Sequence, residues 1–312
     1  MTSERLPDPV KDARDTPELR RALERACAER GLSPVGARLI HRYSNAVYLL
    51  PAEQAVARVT TGAAHRAHAV HEVAGWLVDE AGVAATAPLR DVPPVAVDSS
   101  TTVSFWVHYP QPDTKASPTS THLARTLRSL HAVPEVPFEL EPWRPLVSLS
   151  AALHDPAATH NLSGSDLDWL RGRVEEARAQ VMALDSPLGH GLIHGDAWAG
   201  NLLWHSAAGP DAVVLGDWDW VSVGPREVDL IPTWHAAIRY GRGNEWANAF
   251  ANIYGYDLAA WSGFSTLLAM RDLVQLTGPL RRAGDRPEFA AVLQQRLEGI
   301  RSGDMRATWR AL

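Results

Sequence analysis

Five side chains able to do chemistry crowd one stretch of this 312-residue chain. His194, Asp196 and Asn201 sit between the apolar pairs Leu192-Ile193 and Leu202-Leu203, and Asp217 and Asp219 lie on a second apolar run. Two carboxylates and an amide supply only oxygen donors, the set that suits Mg²⁺, and Mg²⁺ in turn implies a substrate carrying phosphates. If residues 217–219 are extended, the period of two puts both aspartates on one face. Asp196 stands five residues before Asn201 and could accept a proton from a hydroxyl. A rival assignment makes His194, Asp196, His205 and Asp217 ligands of Zn²⁺ or Mn²⁺ in a metal hydrolase. His65, His68 and Glu72 share a helical spacing that also suits a metal, although a solvated helix face is the simpler reading.

These residues need elements to hold them. Thr16 can cap a helix that starts at Pro17 and stops at Gly31. Two short strands flank the polar break Arg42–Asn45, and AVARV (55–59) is a third, with Val56 and Arg58 on one face and Ala57 and Val59 on the other. Residues 64–80 read as a helix with the stripe Val70, Val73, Ala74, Leu77 and Val78; Glu72 lies off that stripe. Residues 93–97 and 101–110 read as a hairpin in which Val103, Phe105, Val107 and Tyr109 alternate with polar or amphipathic residues. The Pro-, Ser- and Thr-rich segment 111–120 is a linker. Beyond it helices dominate: one striped by Leu123, Leu127 and Leu130, one over 165–184 starting near Ser165 or Asp166, and four more near 226–240, 244–254, 263–277 and 287–302. The expected organisation is α+β, with a strand-rich N-lobe over 1–110, a hinge over 111–120 and a helical C-lobe over 121–312.

His194-Gly195-Asp196-Ala197-Trp198-Ala199-Gly200-Asn201 has the form H-G-D-x-x-x-x-N, and the apolar run after it ends in Asp217-Trp218-Asp219, a D-W-[DE] motif. Together they resemble the aminoglycoside phosphotransferase family, which includes choline-kinase-like enzymes and has a bilobal protein-kinase-like fold. TLRSLHAVP (126–134) is similar to that family's helix after the hinge, and GPREVDL (224–230) to its G-x-P-x-x-D-L segment. The order of parts matches from about residue 30 to the C-terminal helices.

The resemblance implies transfer of the γ-phosphate of ATP, with Mg²⁺, to a hydroxyl of a small molecule. It implies Asp196 as the catalytic base and Asn201 and Asp217 as Mg²⁺ ligands. Arg58 stands where the family has a strand lysine, and Glu72 where it has the lysine's glutamate partner. Ser44 and Asn45 resemble the turn that covers the nucleotide phosphates, without a G-x-G-x-x-G. Adenine would meet backbone near His108, Tyr109 and Pro110. His194 is implied as structural, and Asp229 as bonding the loop backbone or His194. Asp219 either assists the metal or fixes local structure.

Composition narrows the partners. The net charge is -6 and the pI about 6.1, which disfavours nucleic acid and permits a cationic or glycosidic acceptor. Trp198 or Trp234 could stack on such an acceptor, and Asp166, Asp168, Glu245, Asp257 and Asp272 could line its site, although for each the solvated helix face is the plainer reading. Only Lys11 and Lys115 are lysines, against 28 arginines, and no GxxxxGK[ST] is present. No apolar run approaches a membrane span, the polar first residues do not read as a secretory signal, and Cys27 reads as a packing residue. A cytoplasmic enzyme is expected. The acceptor could be an aminoglycoside or related antibiotic, or a metabolic amino-alcohol or sugar. Arg58 motivates a further alternative, a non-catalytic nucleotide-binding module of the same fold.

Overall fold

The computed structural model describes residues 15–42, 45–61, 64–284, 286–304 and 307–310, without the side chains of residues 64 and 65. The chain forms two compact units. One takes in the residues up to Pro118 together with Gly200–Val221, and the other Thr119–Ala199 together with the residues from Ser222 onward. The segment carrying Asn201 and Asp217 thus groups with the first unit, although it follows the linker in sequence.

The first unit opens with helix α1 (Pro17–Arg30). Its ends are those the sequence predicts: Thr16 accepts a hydrogen bond from the Leu19 amide, and Gly31 closes the helix at φ 69°. Strands β1 (Arg38–Arg42), β2 (Ala46–Leu50) and β3 (Ala55–Thr61) follow, then helix α2 (Ala64–Asp79) and strands β4 (Val95–Ala96) and β5 (Thr101–Val107). All pairings are antiparallel, in the order β1-β2-β3-β5-β4. β3 alternates as predicted, with Ala57 and Val59 buried and Arg58 on the opposite face. Leu23, Ala26 and Cys27 of α1 pack against Tyr48, Ala57 and Phe105 of the sheet. β5 departs from the expected alternation. Its supposed polar face, Thr102, Ser104 and Trp106, is buried as well, because α2 covers it: His71 meets Trp106 edge-on at 5.6 Å. Ser104 accepts the Trp106 indole N–H at 2.8 Å, so the buried polar pair is satisfied.

In the second unit, helix α3 (Ser120–His131) buries Leu123, Leu127 and Leu130 as the stripe predicts. Two short helices the pattern did not reveal, α4 (Val147–Leu153) and α5 (Pro156–Thr159), precede α6 (Gly164–Met182). The α6 cap is Ser163, two residues earlier than Ser165, and its Oγ accepts from the Asp166 amide at 3.0 Å. A ribbon pairs His190–Ile193 with Ser222–Pro225. Gly224 has no room for a side chain there: a Cβ would lie 2.7 Å from the Trp143 Cβ and 2.9 Å from the Ile193 Cδ1. Helices α7 (Glu227–Arg239), α8 (Gly243–Tyr254), α9 (Phe264–Val274), α10 (Thr277–Arg282) and α11 (Pro287–Ser302) complete the unit.

A buried ionic node ties α7 to α9. Asp272 accepts from the Arg239 Nε at 3.0 Å and Nη2 at 2.7 Å, and its Oδ1 lies 3.0 Å from the His235 Nε2. Asp272 is therefore neither an acceptor-site acid nor part of a solvated face. Burial holds the His235 pKa down to about 4 from 6.5, outweighing the Asp272 carboxylate, while Arg271 and Arg239 push the same way as burial. The unfolded chain then binds a proton between pH 6.5 and about 4 that the folded chain refuses. Stability carried by neutral His235 is present above pH 6.5 and lost as pH falls towards 4. Urea unfolding across that window should show a steeper loss in wild type than in His235→Gln; equal slopes would contradict the assignment.

Candidate active site

In the first unit the acidic motif is built on a turn. Asp217 adopts φ 62°, ψ 54°, and Trp218–Trp220 form a 3₁₀ turn. Asp217 and Asp219 are therefore not on one face of an extended strand. A cation brings them to a common partner instead. Arg58, reaching from β3 with its side chain 14% exposed, places Nη2 2.9 Å from the Asp217 Oδ1 and also bonds the Asp219 Oδ2. Asn45 donates to that Asp219 oxygen at 3.1 Å. Arg66 of α2 donates through Nε to the Asp219 carbonyl at 3.0 Å and lies over the Trp220 ring. Two like charges close together would repel, and the guanidinium between them removes that cost.

Asn201 joins the same unit from the far side of a hairpin that pairs Leu202–Trp204 with Val213–Leu215. Its carbonyl accepts from the Gly216 amide at 2.9 Å, one residue before Asp217. Gly216 is cramped as well as bonded, since a Cβ there would come within 3.1 Å of the Thr86 Cγ2. The hairpin is fixed in turn by Ala84 and Thr86, which exchange hydrogen bonds with both backbone groups of Leu215 at 2.8 and 2.9 Å.

The predicted Arg58–Glu72 pairing does not form: Glu72 is exposed on α2, off its buried stripe, while Arg58 spends its charge on Asp217 and Asp219. Ser44 lies outside the described residues. Just after β5, the His108 amide donates to the Gln54 carbonyl at 3.2 Å, and burial together with Arg38 lowers the pKa of its ring. Tyr109 is buried. Its hydroxyl accepts from the Ala87 amide at 3.1 Å, its ring meets His205 edge-on at 5.1 Å, and its carbonyl accepts from Gln111 at 2.7 Å. The Gln111 side chain also accepts from the Trp204 amide at 3.0 Å, stapling the hinge to the hairpin.

In the second unit the H-G-D loop leaves the ribbon after Ile193. His194 is fully buried and its Nδ1 accepts from the Asp196 amide at 3.3 Å, the structural part the resemblance implies. Asp229, fully buried in the first turn of α7, accepts from the His194 and Gly195 amides, both at 2.7 Å. Its Oδ2 lies 3.1 Å from the His131 Nε2, and His131 is held in turn by the Tyr254 hydroxyl at 2.7 Å. Gly195 takes φ 83°, a conformation that costs a residue without Cβ little. Asp196 itself is paired through Oδ1 with the Arg271 Nη1 of α9 at 2.8 Å. No local pattern marks Arg271, one arginine among 28. Glu227, also buried, accepts from the Leu188 amide at 2.7 Å and bonds the Ser186 hydroxyl, anchoring the ribbon's approach.

Among the aromatic candidates Trp234 is core, packed edge-on against Phe250 at 5.5 Å, whereas Trp198 in the loop is 44% exposed. Asp166 pairs with Arg301, and Asp257 caps a turn by accepting from the Ala259 amide at 3.0 Å. Among the described residues no three His, Cys, Asp or Glu side chains gather around a common point. That leaves the hydrolase set of His194, Asp196, His205 and Asp217 without a centre; in the helix set of His65, His68 and Glu72, the side chain of His65 lies outside the described residues. A Mg²⁺ site needs less, because that ion takes one or two carboxylates and completes its shell with phosphate oxygens and water. Asn201 and Asp217 fit that requirement.

The H-G-D loop is thus fixed by a helix carboxylate, and the acidic turn is gripped by a strand cation. Solved structures agree on the fold. A microcompartment-associated aminopropanol kinase matches with a TM-score of 0.65 at 17% identity, over 92% of this chain and 98% of its own. A choline kinase from Streptococcus pneumoniae matches at 0.62 and 12%, over 90% and 98%. A spectinomycin phosphotransferase solved with ADP and spectinomycin matches at 0.56 and 13%, over 86% and 93%. No curated protein sequence matches the chain. The sequence profile of the APH phosphotransferase enzyme family matches residues 36–264, and the chain belongs to that family.

Proposed function

We propose that this chain transfers the γ-phosphoryl group of ATP to a hydroxyl of a small molecule. The observation that carries the reading is the build of the H-G-D loop: Asp229 grips two successive loop amides and so presents Asp196 from a fixed backbone. In phosphoryl transfer little covalent work falls to the protein, so positioning and charge neutralisation supply most of the rate. Asp196 accepts the acceptor hydroxyl's proton or orients it. Asn201 and Asp217 hold Mg²⁺, which when bound neutralises charge on the phosphate oxygens. Arg58 offers a planar fork suited to phosphate, and Asn45 steadies the acidic turn beside it. His108 and Tyr109 lie on the hinge segment that adenine would meet.

The acceptor we favour is an aminoglycoside or related antibiotic, or else a metabolic amino-alcohol or sugar. Its exposed aromatic neighbour would be Trp198. No helix among the described residues is long and apolar enough to cross a membrane, and a cytoplasmic enzyme remains our reading. One observation favours a second reading. Arg58 is already engaged by Asp217 and Asp219, as it would be in a nucleotide-binding module without turnover.

Coupled ADP release separates the two. Mg-ATP is offered with aminoglycosides, other hydroxylated antibiotics, amino-alcohols and sugars. The expected result is release stimulated by one acceptor class and abolished by EDTA. Nucleotide binding with no stimulated release by any class would favour the binding module.

A further inference from the structure

We infer that Tyr254 is a positioning residue for the H-G-D loop: its hydroxyl donates to the His131 Nδ1, keeps the ring proton on Nε2, and so gives Asp229 its third hydrogen-bond donor. Only the consequence for the rate rests on the phosphotransferase reading. The Tyr254 hydroxyl and the His131 Nδ1 are 2.7 Å apart, and on the far side of the ring Nε2 is 3.1 Å from the Asp229 Oδ2. The direction of both bonds follows from the Asp229 end. That carboxylate accepts from two backbone amides, and a carboxylate only accepts, so Nε2 must carry a hydrogen. Nδ1 is then the acceptor of the ring, and the phenol is the donor that fits it, since the bond at one ring nitrogen sets the protonation of the other. Burial first, and then the Asp229 carboxylate, push the Tyr254 pKa above its ordinary value, with Glu227 acting the same way and Arg226 the other. The phenol therefore keeps the proton that it donates.

Packing does not depend on this hydroxyl. Tyr254 ends α8, which is fastened to α3 elsewhere: the Ser120 hydroxyl donates to the Trp246 carbonyl at 2.8 Å, and the Arg128 Nη1 to the Ile253 carbonyl at 3.0 Å. The Tyr254 ring itself stacks on Phe250 and meets His131 edge-on, in both cases with ring centres 5.7 Å apart. What the hydroxyl adds is orientation. A histidine ring turns about χ2 in a broad well, and bonds at both nitrogens leave it one setting. The Asp229 Oδ2 serves that ring and the His194 amide together, while Oδ1 serves the Gly195 amide. A ring that wanders loosens the carboxylate that sets the path of the loop, and Asp196 with it. Such a displacement is costly where rate depends on placement.

Heteronuclear NMR of the full chain with nitrogen-labelled histidine reads the ring without activity. Wild type, Tyr254→Phe and His131→Gln are compared, the last identifying the His131 signals by removing them. In wild type the proton should sit on Nε2, and Nδ1 should show the shift of an unprotonated nitrogen that accepts a hydrogen bond. In Tyr254→Phe, which keeps the aromatic ring, Nδ1 should move to the position of a nitrogen with no donor. A proton on Nδ1 in wild type, or an Nδ1 signal unmoved by Tyr254→Phe, would overturn the proposal. ADP release is then read with Mg-ATP and with choline, 1-amino-2-propanol or spectinomycin as acceptor. Tyr254→Phe should lower kcat about tenfold, which is about 1.4 kcal/mol of barrier and the scale of one internal hydrogen bond. The KM for ATP should stay within about twofold. In a His131→Gln background the same substitution should cost less than about twofold, because a residue acting through another adds nothing once that other is gone. A Tyr254→Phe kcat within about twofold of wild type, or an equal loss in both backgrounds, would end the positioning role. The expected NMR pattern in a wild type that releases no ADP with any acceptor would count against the phosphotransferase reading alone.

Discussion

Asp196→Ala should cut acceptor-stimulated ADP release by about 10³-fold, within the range general-base groups contribute, while ATP binding changes little. The argument is local. Asp196 is the one carboxylate of the H-G-D loop, and the metal-binding reading places it outside the ligand set of Asn201 and Asp217. On the proposed function its removal takes away the proton acceptor and leaves unchanged the residues proposed to meet the nucleotide. The alanine also strands the Arg271 guanidinium, nearly buried and without its counter-ion, so some stability is lost with the activity. Asp196→Asn, which keeps the size and one hydrogen-bonding oxygen, separates the two effects. Steady-state kcat and the ATP dissociation constant should be measured for both variants. A kcat within tenfold of wild type would remove Asp196 from the base role.

The largest expected effect on stability comes from Asp229→Ala. That carboxylate is completely buried and has three partners, the amides of His194 and Gly195 and the His131 ring. Deleting it leaves the buried His194 N–H and the part-buried Gly195 N–H without their acceptor, and His131 without its carboxylate partner. Each unsatisfied buried donor costs about 1–3 kcal/mol, and loss of one partner of a buried charged contact about 3–5 kcal/mol. A loss of about 4 kcal/mol is a large share of the stability of an ordinary domain. Asp229→Asn should fall between, since its amide oxygen can still accept from one of the loop amides. Urea unfolding gives the stabilities directly. Activity in Asp229→Asn should fall as well, because the same bonds set the path of the loop that carries Asp196. An alanine variant that unfolds at the wild-type midpoint would mean that the loop is held by something else.

Much of this was legible in the residues, for reasons that can be named. The ends of α1 were readable because Thr16, Pro17 and Gly31 act locally, each on its own backbone. The alternation of β3 and the leucines of α3 were readable because burial on one side imposes a period. The loop and the Asp229 contact were readable through the H-G-D and G-x-P-x-x-D-L motifs. What escaped depends on partners distant in sequence. β5 looked half-exposed because alternation cannot report that α2 covers its second face. Asp217 looked like part of a strand because neither period nor composition reveals a left-handed aspartate. Arg58 was readable as a cation on β3, but its partners are about 160 residues away on the acidic turn, not on α2. Arg271 carried no local signal, and only the packing of α9 brings it to Asp196. The short helices α4, α5 and α10 are too brief to establish a period.

The cation on β3 has one more consequence. A lysine amine is nucleophilic when unprotonated and is a regular target of acetylation, which erases its charge; a guanidinium holds its proton throughout physiological pH and escapes that chemistry. Because Arg58 bridges Asp217 and Asp219, the polarity of the acidic turn cannot be switched off by acylating this position. Control by lysine modification at this position, open to a chain with an amine here, is closed to this one.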